Sequence, residues 1–109
     1  MTLQFLIKRG DTAPSLRATL RNPDGTAVDL TGATVRFLMR DRTSGASRVT
    51  ASASLVTPAS GIVQYDWQAA DTSTAGTCDA EFEVTFASGK IETFPNSGFF
   101  QVVISGDIA

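Results

Sequence analysis

Apolar and polar residues alternate along this chain in short runs, and clusters of Gly, Pro, Asp, Asn and Ser separate the runs. That is the pattern of a β-sandwich or barrel. Leu3, Phe5 and Ile7 alternate with Gln4, Leu6 and Lys8, predicting a first strand. After a break at Asp11-Thr12-Ala13-Pro14, Leu16, Ala18 and Leu20 alternate with Arg17, Thr19 and Arg21. Asn22-Pro23-Asp24-Gly25 reads as a turn, because proline presets φ and glycine accepts the positive φ that Asp-Gly turns often require. A third strand is expected from Ala33 to Asp41, with Val35, Phe37 and Met39 on one face and Arg36 and Arg40 on the other.

From Arg48 to Thr57 the alternation weakens, which suggests a strand at a sheet edge. Pro58-Ala59-Ser60-Gly61 then turns the chain into Ile62 to Gln68, where Val63, Tyr65 and Trp67 share a face. The cleanest period-2 segment is Thr77 to Phe86: Ala80, Phe82, Val84 and Phe86 face one way, Asp79, Glu81, Glu83 and Thr85 the other. Ala87-Ser88-Gly89-Lys90 predicts a hairpin into Ile91 to Phe94, and Phe99 to Ser105 a last strand. No window has a convincing helical period, and the count is about eight short strands.

Composition narrows the function classes. With 109 residues the chain can bury one core, and 42% hydrophobic against 18% charged residues is the balance of a folded domain. A formal charge of -2 and scattered arginines give no field suited to nucleic acid or an anionic membrane. One cysteine, Cys78, excludes an internal disulfide. The opening apolar stretch is too short for a signal-peptide core and no run approaches bilayer length, so synthesis in a cytoplasm is expected.

Histidine is absent, which removes the commonest general base and metal ligand at neutral pH. Cys78 alone offers no zinc cage, and Asp66, Asp71 and Asp79 fit no spaced calcium loop. Glu81 and Glu83 lie on the wet face of their strand, where pairing with Arg36 or Arg40 is the ordinary use. Arg9-Gly10-Asp11 matches an integrin-recognition tripeptide, but a three-residue match arises often by chance, and the favoured reading is a bend at Gly10 with Asp11 capping the turn. No catalytic residue, metal site or cofactor is therefore expected. What stands out is apolar residues on polar faces. Leu6 and Leu38 interrupt such faces, and the adjacent Phe99 and Phe100 must point to opposite sides of their strand. Leu6, Leu38, Phe99 and Phe100 are the candidate interface.

The ordered segments carry a family resemblance. Lys8-Arg9-Gly10-Asp11-Thr12-Ala13-Pro14 precedes Leu16-Arg17-Ala18-Thr19-Leu20. Asp24-Gly25 and Val28-Asp29-Leu30-Thr31-Gly32-Ala33-Thr34-Val35 follow, then Gly61-Ile62-Val63-Gln64-Tyr65-Asp66-Trp67, Asp71-Thr72 and Ala75-Gly76. Ala80-Glu81-Phe82-Glu83-Val84-Thr85-Phe86 leads to Thr93-Phe94-Pro95-Asn96. Over nearly its whole length the chain resembles the immunoglobulin-like N-terminal domain of phage baseplate upper proteins.

The resemblance implies an all-β, immunoglobulin-like β-sandwich of about eight short, mainly antiparallel strands, with 1–109 as a single domain. It implies a non-enzymatic virion protein assembled in the host cytoplasm, an adaptor of the tail or baseplate. Its partners would be other phage virion proteins, met in multiple symmetric copies or as a homo-oligomer, and neither nucleic acid nor membrane. A capsid decoration protein and a carbohydrate- or host-surface-binding module are the alternatives. In the family this domain often begins a longer protein, whereas this chain stops at Ala109. The family usually has tyrosine at position 78, whose hydroxyl would tie down a corner; Cys78 stands there instead and weakens the corner hydrogen bond that the resemblance implies, with the fold unaffected.

Overall fold

A computed structural model describes residues 4–106. Leu3, assigned above to the first strand, lies outside the described residues. The rest of the alternation is realised as eight strands: β1 (Gln4–Lys8), β2 (Leu16–Thr19), β3 (Thr34–Asp41), β4 (Ser47–Thr57), β5 (Ile62–Tyr65), β6 (Gly76–Thr85), β7 (Ile91–Phe94) and β8 (Phe100–Ser105). Hydrogen bonding joins them in the order β1-β8-β6-β3-β4-β5-β2, with β7 beside β8 along the same edge of β6. Every pairing is antiparallel except β1 with β8, which is parallel.

The long strand β4 makes the two layers. Its first part, up to Ala53, pairs with β3, and its last part, from Ser54, pairs with β5. A register shift between Leu55 and Thr57 marks the bend, as bulges do where a strand changes sheets. Each half of β4 therefore has one partner, and the edge position read from its weak alternation holds in both layers. The layers face each other through β3 and β5. The Phe37 ring stacks on Tyr65 at 4.5 Å and meets Trp67 edge-on at 5.7 Å and Phe82 at 5.2 Å. Offset and edge-to-face contacts of this kind add to the burial of apolar area.

Turn chemistry fixes the connections. In Asp29-Leu30-Thr31-Gly32 the Asp29 carboxylate accepts from the Thr31 amide and hydroxyl, and Gly32 takes φ +79°. Leu30 between them is completely buried and plugs the core. Several strand ends shift by a residue, and two changes bear on the site. The fifth strand stops at Tyr65 because Gln68 opens a one-turn 3₁₀ segment at Ala69–Thr72, although Trp67 still points inward. The last strand begins at Phe100, which leaves Phe99 in the preceding loop.

Candidate functional site

The charged residues are dispersed. Asp66 accepts from Ser15 Oγ at 2.6 Å and Gln64 Nε2 at 2.8 Å, and these hydrogen bonds hold its carboxyl below the usual range. Asp41 accepts the amides of Thr43 and Ser44, an Asx turn that likewise lowers its pKa. No three His, Cys, Asp or Glu side chains converge on a metal-sized site among the described residues. Glu83 pairs with Arg36 at 2.8 Å, and the two are register partners across β6 and β3. Asp79 departs from its expected wet position. It is almost fully buried, held by Arg42 at 2.6 Å with Arg40 at 3.7 Å. The alternation was right about the face, but the long arginine stems cover the carboxylate.

The corner before β6 is held without a tyrosine at position 78. Tyr65 reaches it from β5, its hydroxyl donating to the Asp71 carboxylate at 2.5 Å. The Gln68 amide donates to the same oxygen at 2.8 Å, closing a capping box. Arg48 donates to the Thr74 carbonyl at 2.9 Å and stands beside the buried Cys78. The loop after β1 is tied in as well: the Gly10 amide donates to the Thr72 carbonyl, and Thr72 Oγ1 donates to the Asp11 carbonyl, both at 2.9 Å. Arg9-Gly10-Asp11 is thereby part of the framework. Burial pushes the Cys78 thiol and the Tyr65 hydroxyl upward in pKa, so both stay protonated.

The four candidate interface residues separate into two kinds. Leu6 is 68% exposed and Phe99 41%, whereas Leu38 is half-buried and Phe100 packs on the core, stacked 5.8 Å from Phe82. Leu6 pairs in register with Val103, so an apolar pair lies on the outer face of β1 and β8, and Thr77 of β6 stands next to it. Phe99 lies under the Arg40 guanidinium at 4.7 Å, near Leu38 and Glu81. Ile91, 64% exposed, and Val56, 39% exposed, were not singled out from the sequence. Parity was the available signal: Ile91 is out of phase with buried Phe94, and Val56 with the inward-facing Val49 and Leu55.

Sequence reasoning also missed a groove of about 600 Å³ between β2 and the β7–β8 connection. Leu20, Phe94, Pro95, Phe99 and Phe100 give it apolar walls, and Arg21 and Arg42 contribute cations. Its two sides are about eighty residues apart in sequence and share no ladder, so no local pattern reveals it.

A family model described as the BppU N-terminal domain matches residues 4–106. Among solved structures, CopC from Methylosinus trichosporium OB3b is similar over 99% of this chain and 89% of that one, at 13% identity and a TM-score of 0.57. At that identity the likeness is one of fold alone. No curated protein matches the chain.

Proposed function

We propose, from the premise that this chain belongs to the BppU N-terminal domain family of phage baseplate proteins, that it is a non-enzymatic virion module joining neighbouring tail or baseplate proteins. Residues 1–109 act as one domain in this reading. The observation that carries it is apolar surface on the outer face, where Leu6 keeps two thirds of its surface in water beside the half-buried Val103, and Phe99 is exposed beside the half-buried Leu38 further along. Apolar positions of this kind gain most when a partner covers them. Particle symmetry would then repeat one such contact many times. The charge is small and the described face mixes arginines with carboxylates, which suits a protein partner better than a polyanion.

The test is incorporation. Leu6→Glu and Phe99→Glu place a charge where a dry contact is required and leave the core untouched. Particles assembled from the full set of virion proteins, with either variant replacing this chain, should carry at least about ten-fold less of it by immunoblot. Unchanged incorporation of both variants would remove this face from the assembly contact.

A further inference from the structure

β2 ends the strand order: it pairs with β5 on one side and with no strand on the other among the described residues. The Leu20 amide donates to the Gly61 carbonyl at 2.8 Å, and the Leu20 carbonyl accepts from Val28 at 2.9 Å. Antiparallel alternation therefore turns the backbone groups of Arg17, Thr19 and Arg21 toward the open edge. Their side chains stand exposed on the outer face, while Ala18 and Leu20 point inward beside the groove. Ala18 is only half-buried, because the layer ends there over Phe99 and Phe100.

Charge distinguishes this edge. Arg17 donates to Gln64 Oε1 at 2.7 and 3.1 Å, and Arg21 donates to the Gly25 carbonyl at 3.0 Å, so both guanidiniums meet neutral acceptors. Among the described residues no carboxylate lines the groove, in a chain whose net charge is negative. We propose that the open edge of β2 accepts an added strand from another polypeptide, an extended segment with acidic residues opposite Arg17 and Arg21 and apolar residues opposite Ala18 and Leu20. Backbone pairing with Arg17, Thr19 and Arg21 supplies the adhesion, the two arginines select the charge, and the groove takes the apolar side chains. This deepens the docking function above and rests on it, but it uses a different surface from the Leu6 and Val103 pair.

The test is a titration of the isotope-labelled chain with a blocked pentapeptide carrying glutamate at its ends and valine at the second and fourth positions, compared with its lysine counterpart. The glutamate peptide should shift the amides of 17–21 and slow hydrogen exchange at Thr19, and at low salt it should bind at least about ten-fold tighter than the lysine peptide. Thr19→Pro removes the outward amide and should abolish binding. The same peptide N-methylated at its central residue, whose amide faces Thr19 in an antiparallel pair, should fail on the unaltered chain, which tests backbone pairing without any risk to folding. Absence of shifts at millimolar peptide, equal affinity for the two peptides, or shifts confined to β1 or β7 would overturn the proposal. The Leu6→Glu incorporation result is separate from these outcomes, because Leu6 lies off the groove, whereas Phe99 lines it.

Discussion

Replacing Gly61 with alanine tests how β2 is held in place. Gly61 follows the one-turn Pro58–Ser60 segment in the left-handed region, at φ +70° and ψ 18°. A Cβ there would lie 2.8 Å from the carbonyl oxygens of both Leu20 and Val28, and 3.1 Å from the Val28 amide nitrogen. All three are backbone atoms and cannot rotate away. The left-handed backbone alone costs an L-residue about 1–2 kcal/mol. Moving the chain clear would also strain the Leu20 N–H to Gly61 carbonyl and Val28 N–H to Leu20 carbonyl bonds, each worth about 0.5–1.5 kcal/mol. Gly61→Ala should therefore cost about 3–4 kcal/mol, a large share of a small domain's stability.

Gly25→Ala is the control: its φ is +91°, and nothing lies within 4 Å of the added carbon. It should cost only the backbone strain, about 1–2 kcal/mol. Urea denaturation of both variants, with the slope held common, measures the difference. If Gly61→Ala is no more than about 0.5 kcal/mol worse than Gly25→Ala, the close approach of the two segments does not constrain β2, and the reasoning fails.

Tyr65→Phe removes the hydroxyl from the Asp71 carboxylate and should cost about 1.5–3 kcal/mol, the range for a hydrogen bond to a charged group. Faster hydrogen exchange at Gly10, bonded to the Thr72 carbonyl, would accompany the loss; an unchanged rate would uncouple Tyr65 from that loop. Stability should also fall as pH rises beyond about 9, because the unfolded chain ionises Cys78 and Tyr65 near 9.0 and 10.0 while the buried groups keep their protons. The unfolded state then binds fewer protons, which is the sign that makes folding weaken with pH. Urea midpoints at about pH 8 and about pH 10.5 should separate less in Cys78→Ala than in the parent, and equal separation would clear the thiol of any part.

The strands were legible wherever a buried face alternates with a wet one. β3 and β6 show this best, since Val35, Phe37 and Met39 and then Phe82 and Val84 all turn inward as the pattern required. Leu30 and Trp67 could be read as core because each interrupts a polar turn or keeps phase with buried neighbours. What escaped depends on contacts between distant segments. Asp79 lies on the expected face, but Arg42 from the distant β3–β4 loop holds its carboxylate, and strand periodicity carries no trace of that. Tyr65 takes over the corner from position 78 because β5 happens to end beside the 3₁₀ turn, a matter of packing and not of spacing. The outward position of Leu6 followed from parity, whereas for Phe99 and Phe100 parity gave only opposite sides, and Phe99 lies in the loop before β8. Phe100 and Leu38 needed the second layer and the Arg40 side chain to show how much of each is covered.

The parallel pairing of β1 with β8 has a mechanical consequence. Five residues run side by side from Gln4 with Gln101 to Lys8 with Ser105, so a pull on the leading end of β1 against the trailing end of β8 acts along the strands in opposite directions. The inter-strand bonds are then loaded together in shear, and none can open before its neighbours, as they would if peeled one at a time from an end. A domain stitched in this way resists tension between its two termini better than its modest core implies.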